Sequence, residues 1–170
     1  MIKHVFHNTI YTHDNLYVLS GLNSESVDLI YLDPPFNSKR MYSAPAGSKA
    51  AGASFKDMWT WKDVDEYYLD ALADQFPVLA KYIACVGAFH SKPMMAYLTY
   101  MAQRIVEMYR ILKETGSLYL HCDPTASHYL KHVLETCTSG FAADGSGIHP
   151  LRVERRIEID QINQSAVESR

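Results

Sequence analysis

Apolar positions along the chain form short continuous blocks and stripes that repeat at three- and four-residue spacing. Val27 to Leu32 is a block interrupted only by Asp28, the pattern of a parallel strand buried on both faces. Thr9-Ile10-Tyr11 reads as an earlier strand ending at Thr12 to Asn15. A helical turn follows it, with Leu16 and Leu19 on one side and Gly21 as its stop. From about Met95 to Lys113, the residues Leu98, Met101, Ile105, Met108 and Leu112 are spaced 3, 4, 3 and 4, one helical stripe. Lys113 suits the negative end of that helix's dipole, and Gly116 suits its stop. Val64 to Ile83 is also helical in pattern, but Pro77 must kink or divide it. Ser117 to Cys122 is a further strand. Asp123 and Pro124 then cap and open a last helix carrying Leu130, Val133, Leu134 and Cys137 inward.

Between these elements the pattern lapses twice. Residues 37–61 mix glycine, proline and alanine with Lys39, Arg40, Lys49 and Lys56 and sustain no period, which predicts a long loop. Phe55, Trp59 and Trp61 favour a lid over a disordered linker, since linkers seldom carry large aromatics. From Thr138 onward no strand-length apolar run remains, and residues 138–170 are expected to be an irregular, poorly ordered tail, a truncation or a shifted reading frame. The order of strand, helix, strand, loop, helices, strand, helix predicts an α/β fold with a mostly parallel sheet and helical crossovers. Ligands of such sheets bind at the carboxyl ends of the strands, and Asp14, Asp33 and Asp123 all fall there.

Composition narrows the class. At 170 residues with 48% hydrophobic content, the chain supports one packed domain and argues against general disorder. A net charge of -3 gives no broad attraction to phosphates, so contact with nucleic acid must come from local patches. Cys85, Cys122 and Cys137 are widely spaced and odd in number, which fits a reduced cytoplasmic protein better than a disulfide scaffold. No run approaches the roughly 20 apolar residues of a membrane helix, and the amino terminus lacks a secretion signal's apolar stretch.

The densest chemistry is Asp33-Pro34-Pro35-Phe36, directly after the Val27 to Leu32 block. An acid, two residues without a backbone N–H and an aromatic ring suit a flat heterocycle bearing an amino group. The exocyclic amine of adenine or cytosine is a poor nucleophile, because its lone pair is delocalised into the ring. Asp33 and the Pro34 carbonyl can accept its two N–H groups and draw the nitrogen towards a tetrahedral shape. Consecutive prolines hold those carbonyls in place, and Phe36 offers a face for the base. In isolation the tetrapeptide also reads as a rigid turn, and Asp14 as a helix cap. His121, Cys122, Asp123, His128 and His132 lack the spacing of a metal site, so no metal is expected. Trp59 and Trp61 either anchor the lid or stack on a base.

Asp33-Pro34-Pro35-Phe36 resembles the catalytic motif of the DNA amino-methyltransferases, which use S-adenosyl-L-methionine to methylate adenine N6 or cytosine N4. Asp14-Asn15-Leu16 with Ser26 to Leu32, Gly47 to Gly52, and Gly116 to Pro124 are similar to segments of the permuted β group, which includes type III modification subunits. The resemblance covers about residues 8–136. It implies a partial, incomplete Rossmann-like methyltransferase domain over residues 1–137, with loop 37–61 as the lid. Asp33, Pro34, Pro35 and Phe36 would bind and activate the base, and Asp14 would contact the cofactor's adenosine. Asp rather than Ser at position 33 favours adenine. The expected partners are double-stranded DNA and a restriction subunit or a second copy of the chain. The β group also carries a Phe-x-Gly-x-Gly cofactor motif in its carboxyl-terminal part, and this chain has none. Its Gly140 and Gly145-Ser146-Gly147 follow no strand. The group's first and second strands, which lie between its third and fourth, are likewise missing. The expected function is therefore adenine-N6 methylation by a truncated chain, with an inactive remnant or a non-catalytic piece that docks onto another polypeptide as the alternative.

Overall fold

Helices gather on one side of a small parallel sheet, as the placement of the apolar stripes requires. The computed structural model describes residues 8–64, 66–138 and 156–161. In chain order these form α1 (Asn15–Ser20), β1 (Val27–Leu32), β2 (Arg40–Ser43), β3 (Ser54–Asp57) and a 3-10 turn at Trp61–Asp63. Then come α2 (Glu66–Gln75), α3 (Pro77–Phe89), α4 (Lys92–Ile111), β4 (Leu112–Cys122), α5 (Pro124–Thr138) and β5 (Arg156–Gln161). β4 is the centre of a three-stranded sheet in the order β1-β4-β5, and both pairings are parallel. β2 and β3 form a separate antiparallel hairpin. This is the α/β architecture with helical crossovers that the pattern implies.

Helix α4 is the middle of the core. Ser91 caps it by accepting the Met94 amide, with a proline in the first turn. Its stripe residues Leu98, Met101, Ile105 and Met108 are all buried. They join Leu79, Ile83 and Val86 of α3, Leu130, Val133 and Leu134 of α5, and Leu118 and Leu120 of β4 in one hydrophobic cluster. Asp123 caps α5 by accepting the Ala126 amide at 3.0 Å. Pro77 divides the second helical stretch outright. Phe76 stands between α2 and α3 in a non-helical conformation, and the proline opens α3 where its missing N–H costs nothing.

Four features differ from the sequence-based expectation. Residues 9–11 run as irregular chain, with Ile10 89% exposed. A strand needs a paired neighbour, and among the described residues β1 pairs only with β4. β1 is not buried on both faces. Ile30 and Leu32 pack on the core, whereas Leu29 and Tyr31 point to the other face and are 60% and 66% exposed, because the packed helices cover one face only. Residues 37–61 are not a structureless loop but contain the β2–β3 hairpin. Finally, α4 stops at Ile111 and the chain enters β4 without a break, so Gly116 lies inside a strand, near a register irregularity, rather than at a helix end.

The expected irregular tail is corrected at one place. Residues 156–161 form β5, pairing Ile157 with Leu118 and Ile159 with Leu120. Their alternation of apolar and charged residues is a half-buried strand's signature, which a search for continuous apolar runs overlooks. The rest of that segment, including Gly140 and Gly145-Ser146-Gly147, lies outside the described residues.

Candidate active site

The chain leaves β1 at Leu32 and turns at once through the acid-proline-proline-aromatic corner. Asp33 is exposed, and Pro34, Pro35 and Phe36 are half-buried. The Phe36 ring meets His121 at the end of β4 edge to face, with centroids 5.8 Å apart, and contributes to the core from the rim. Beside the corner lies a cavity of about 340 Å³ lined by Asp33, Pro34, Pro35, Phe36, Tyr42 and Asp57. Its position outside the carboxyl end of a parallel strand is where α/β sheets place ligands, and its size falls within the usual range of about 300–1,000 Å³ for small-molecule sites.

Asp57, at the end of β3, ties the hairpin to this corner and is only 1% exposed. Its carboxylate accepts the Asn37 amide at 2.7 Å and the Ser38 amide at 3.0 Å, and its carbonyl accepts the Lys39 amide at 2.8 Å. Successive amides converge in this way only when the backbone curls. Asn37 and Lys39 both adopt left-handed conformations, with φ of 61° and 62°. That conformation is easy for asparagine and costs about 1–2 kcal/mol for an ordinary side chain such as lysine. The strain sits directly behind the corner and is held by Asp57. Across the gap, the Tyr42 hydroxyl and Ser38 Oγ are 3.2 Å apart.

The hairpin's exit is fixed just as firmly. Trp59 stacks on Tyr100 of α4 with ring centroids 4.1 Å apart, and lies 5.9 Å from the fully buried Tyr97. Trp59 therefore serves as an anchor of the segment; its ring is against α4, not in the cavity. Asn37 Oδ1, Trp59 Nε1 and the Tyr97 hydroxyl are buried without hydrogen-bond partners, each at a cost of roughly 1–3 kcal/mol. Burial, followed by the nearby Cys122, Asp123 and Asp57, holds the Tyr97 hydroxyl firmly protonated.

Asp14 lies at the other end of this seam. As the α1 cap, it accepts the Leu16 amide at 2.8 Å. It also accepts Arg104 Nη2 at 2.8 and 2.6 Å on its two oxygens. Arg104 is 4% exposed, donates from Nε to Asn15 Oδ1 at 2.9 Å and lies 3.3 Å above the Tyr100 ring centroid. Sequence and structure thus connect Asp14 to the corner through Arg104, Tyr100 and Trp59, but not through a shared cavity. Asp14 lines a different hollow of about 100 Å³ with Tyr100, Gln103 and Arg104.

The structure therefore brings Asp33, Pro34, Pro35 and Phe36 together around one cavity and leaves Asp14 apart. It adds Tyr42 and Asp57: Asp57 carries no local signal in the sequence because its carboxylate binds amides 19 and 20 residues away, and Tyr42 lines the cavity from the β2–β3 hairpin. No group of three or more His, Cys, Asp or Glu able to hold a metal ion occurs among the described residues. No described helix is long and apolar enough to cross a membrane.

Comparison with known proteins places the chain in a family. The family model described as N6/N4 DNA methylase matches residues 27–145. Over 133 residues the chain is 30% identical to the Type III restriction-modification enzyme StyLTI Mod subunit of Salmonella typhimurium. That alignment covers 76% of this chain and 18% of the relative, so the chain spans a small part of the relative's length. No solved structure matches.

Proposed function

Because the chain belongs to the N6/N4 DNA methylase family, we propose that its corner captures an extruded nucleobase by the exocyclic amine and prepares it for methylation. The observation that carries this reading is the cavity of about 340 Å³ beside Asp33, Pro34, Pro35 and Phe36 at the carboxyl end of β1. A base can reach it only by leaving the duplex. Asp33 and the Pro34 carbonyl would accept the two N–H groups and localise the nitrogen lone pair, while the Phe36 ring bounds the base plane. An acid rather than a hydroxyl at position 33 favours adenine N6. Methylation would need no covalent enzyme intermediate.

S-adenosyl-L-methionine is the donor this reading implies. When bound, it supplies an electrophilic methyl group. The hollow beside Asp14 has about 100 Å³, well below the roughly 300 Å³ of ordinary ligand sites, so it does not hold the donor by itself. Both Asp14 oxygens are already engaged by Arg104. The uncovered β1 face with Leu29 and Tyr31 supports the alternative, that this chain acts only when docked onto another polypeptide. Double-stranded DNA is the proposed substrate, a restriction subunit or a second copy the proposed protein partner, and the cytoplasm the proposed location.

The test is binding of duplexes carrying one unpaired nucleotide opposite an abasic site, read by fluorescence anisotropy. Unpaired adenine should bind more tightly than unpaired thymine, which has no amine, and Asp33→Ala should abolish the difference without loss of fold. Equal affinity of the wild type for both duplexes overturns the reading.

A further inference from the structure

The hairpin contributes a side chain to the cavity, and the way it is held says what that side chain is for. Tyr42, on β2, is 38% exposed and lines the cavity together with Phe36. An aromatic residue on an exposed four-residue strand is not there to build a core. β2 is exposed along its whole length. Its placement is nevertheless closely controlled. Asp57 ends the partner strand, pairs in register with Arg40, and binds the amides of Asn37, Ser38 and Lys39. The corner and the hairpin therefore cannot separate without exposing a buried carboxylate and freeing three amides. The Tyr42 hydroxyl adds a contact to Ser38 Oγ.

We propose that Tyr42 is the second aromatic wall of the nucleobase cavity, facing a base bounded by Phe36, and that Asp57 is the positioning residue that sets the spacing between the two walls. The proposal rests on the base-capture reading above and deepens it. Phe36 is fixed from the core by His121, so the cavity's width depends on the hairpin side. Every base has a π-face, so an aromatic wall gives affinity while Asp33 supplies the choice of amine. Asp57 touches no substrate in this scheme. Its two carboxylate oxygens are spent on the turn.

The experiment compares two duplexes, one with an unpaired adenine opposite an abasic site and one with abasic sites on both strands. The ratio of their affinities isolates the base contact from backbone contacts. Tyr42→Leu should lower that ratio by about tenfold, within the range for loss of one stacking contact, and Tyr42→Phe should restore it. Asp57→Asn should lower it too. In the same protein the 15N–1H resonances of Asn37 and Ser38 should move upfield, because one charged acceptor becomes a neutral amide; a merely destabilised fold would not single out these two amides. An unchanged ratio in Tyr42→Leu overturns the wall. A loss in Tyr42→Phe equal to that in Tyr42→Leu overturns it as well, since only the hydroxyl would then matter. Unmoved Asn37 and Ser38 resonances in Asp57→Asn overturn the clamp. If Asp33→Ala abolishes the adenine preference while Tyr42→Leu keeps it, base capture stands and this proposal fails. A wild type with no preference for the unpaired adenine removes both.

Discussion

Replacing Arg104 with methionine tests whether the seam between α1 and α4 is a working contact. Methionine keeps much of the stem's volume and removes only the guanidinium, so little cavity is created. Four interactions are lost together: the two-oxygen contact with Asp14, the bond to Asn15, the bond to the Tyr100 carbonyl and the stack on the Tyr100 ring. A hydrogen bond to a charged group contributes about 1.5–3 kcal/mol and a cation over an aromatic ring about 0.5–2 kcal/mol. Two terms reduce that sum. The Asp14 side chain is 42% exposed and regains water when released, and removing a nearly buried cation also removes its desolvation cost. The net loss should be about 2 kcal/mol, or a fall of roughly 4–8 °C in the thermal midpoint for a chain of this size. Asp14→Asn is the right partner in a double-mutant cycle, because asparagine still caps α1 but cannot pair as an anion. Urea unfolding of both single variants and the double variant should give a coupling of about 1–2 kcal/mol that shrinks as salt is raised. Additive single effects, with coupling under about 0.3 kcal/mol, would refute the claim that Asp14 is committed to Arg104.

Other outcomes follow from the same structure. Burial pushes the Cys137 thiol up to about 12 from 9.0, and burial followed by Tyr129 pushes the Tyr82 hydroxyl up to about 12 from 10.0. The folded state thus keeps protons that the unfolded chain loses. Stability should be full below pH 9 and fall as pH rises towards 12, and Cys137→Ala should delay the onset in pH-dependent urea unfolding. An unchanged onset counts against burial as the cause. At Gly116 an added Cβ would lie 2.7 Å from a Leu112 methyl and 3.0 Å from the Lys113 carbonyl oxygen. Gly116→Ala should therefore cost about 1–3 kcal/mol; a neutral result would mean that the start of β4 relaxes freely. Calorimetry of this chain with S-adenosyl-L-methionine should show weak binding or none, and micromolar affinity would contradict the small hollow at Asp14.

What the sequence made legible was whatever depends on local rules. The Leu98 to Met108 stripe, the Asp123–Pro124 start of α5 and the break at Pro77 each follow from spacing or from one residue's geometry. The corner was legible too, since four adjacent residues carry it. The hairpin was not. Each of its strands has four residues, β2 is wholly exposed, and the pair is held by backbone bonds and by Asp57 rather than by an apolar pattern. Asp14 shows the converse limit. Its position after a strand-like segment suggested a ligand contact, but only the folded chain reveals Arg104, some 90 positions away, on both of its oxygens. The exposed Leu29 and Tyr31 follow the same logic, because the sequence of a strand cannot say which of its faces a neighbour covers.

The amine grip itself is tested most directly by changing one group on the ligand. In the unpaired-base duplex, adenine is replaced by purine, which keeps the ring system and lacks only the NH₂. The wild type should lose about tenfold or more in affinity on that change, as expected for one or two hydrogen bonds to a carboxylate, while Asp33→Ala should bind both duplexes alike. Equal binding of adenine and purine by the wild type would contradict the account at its centre.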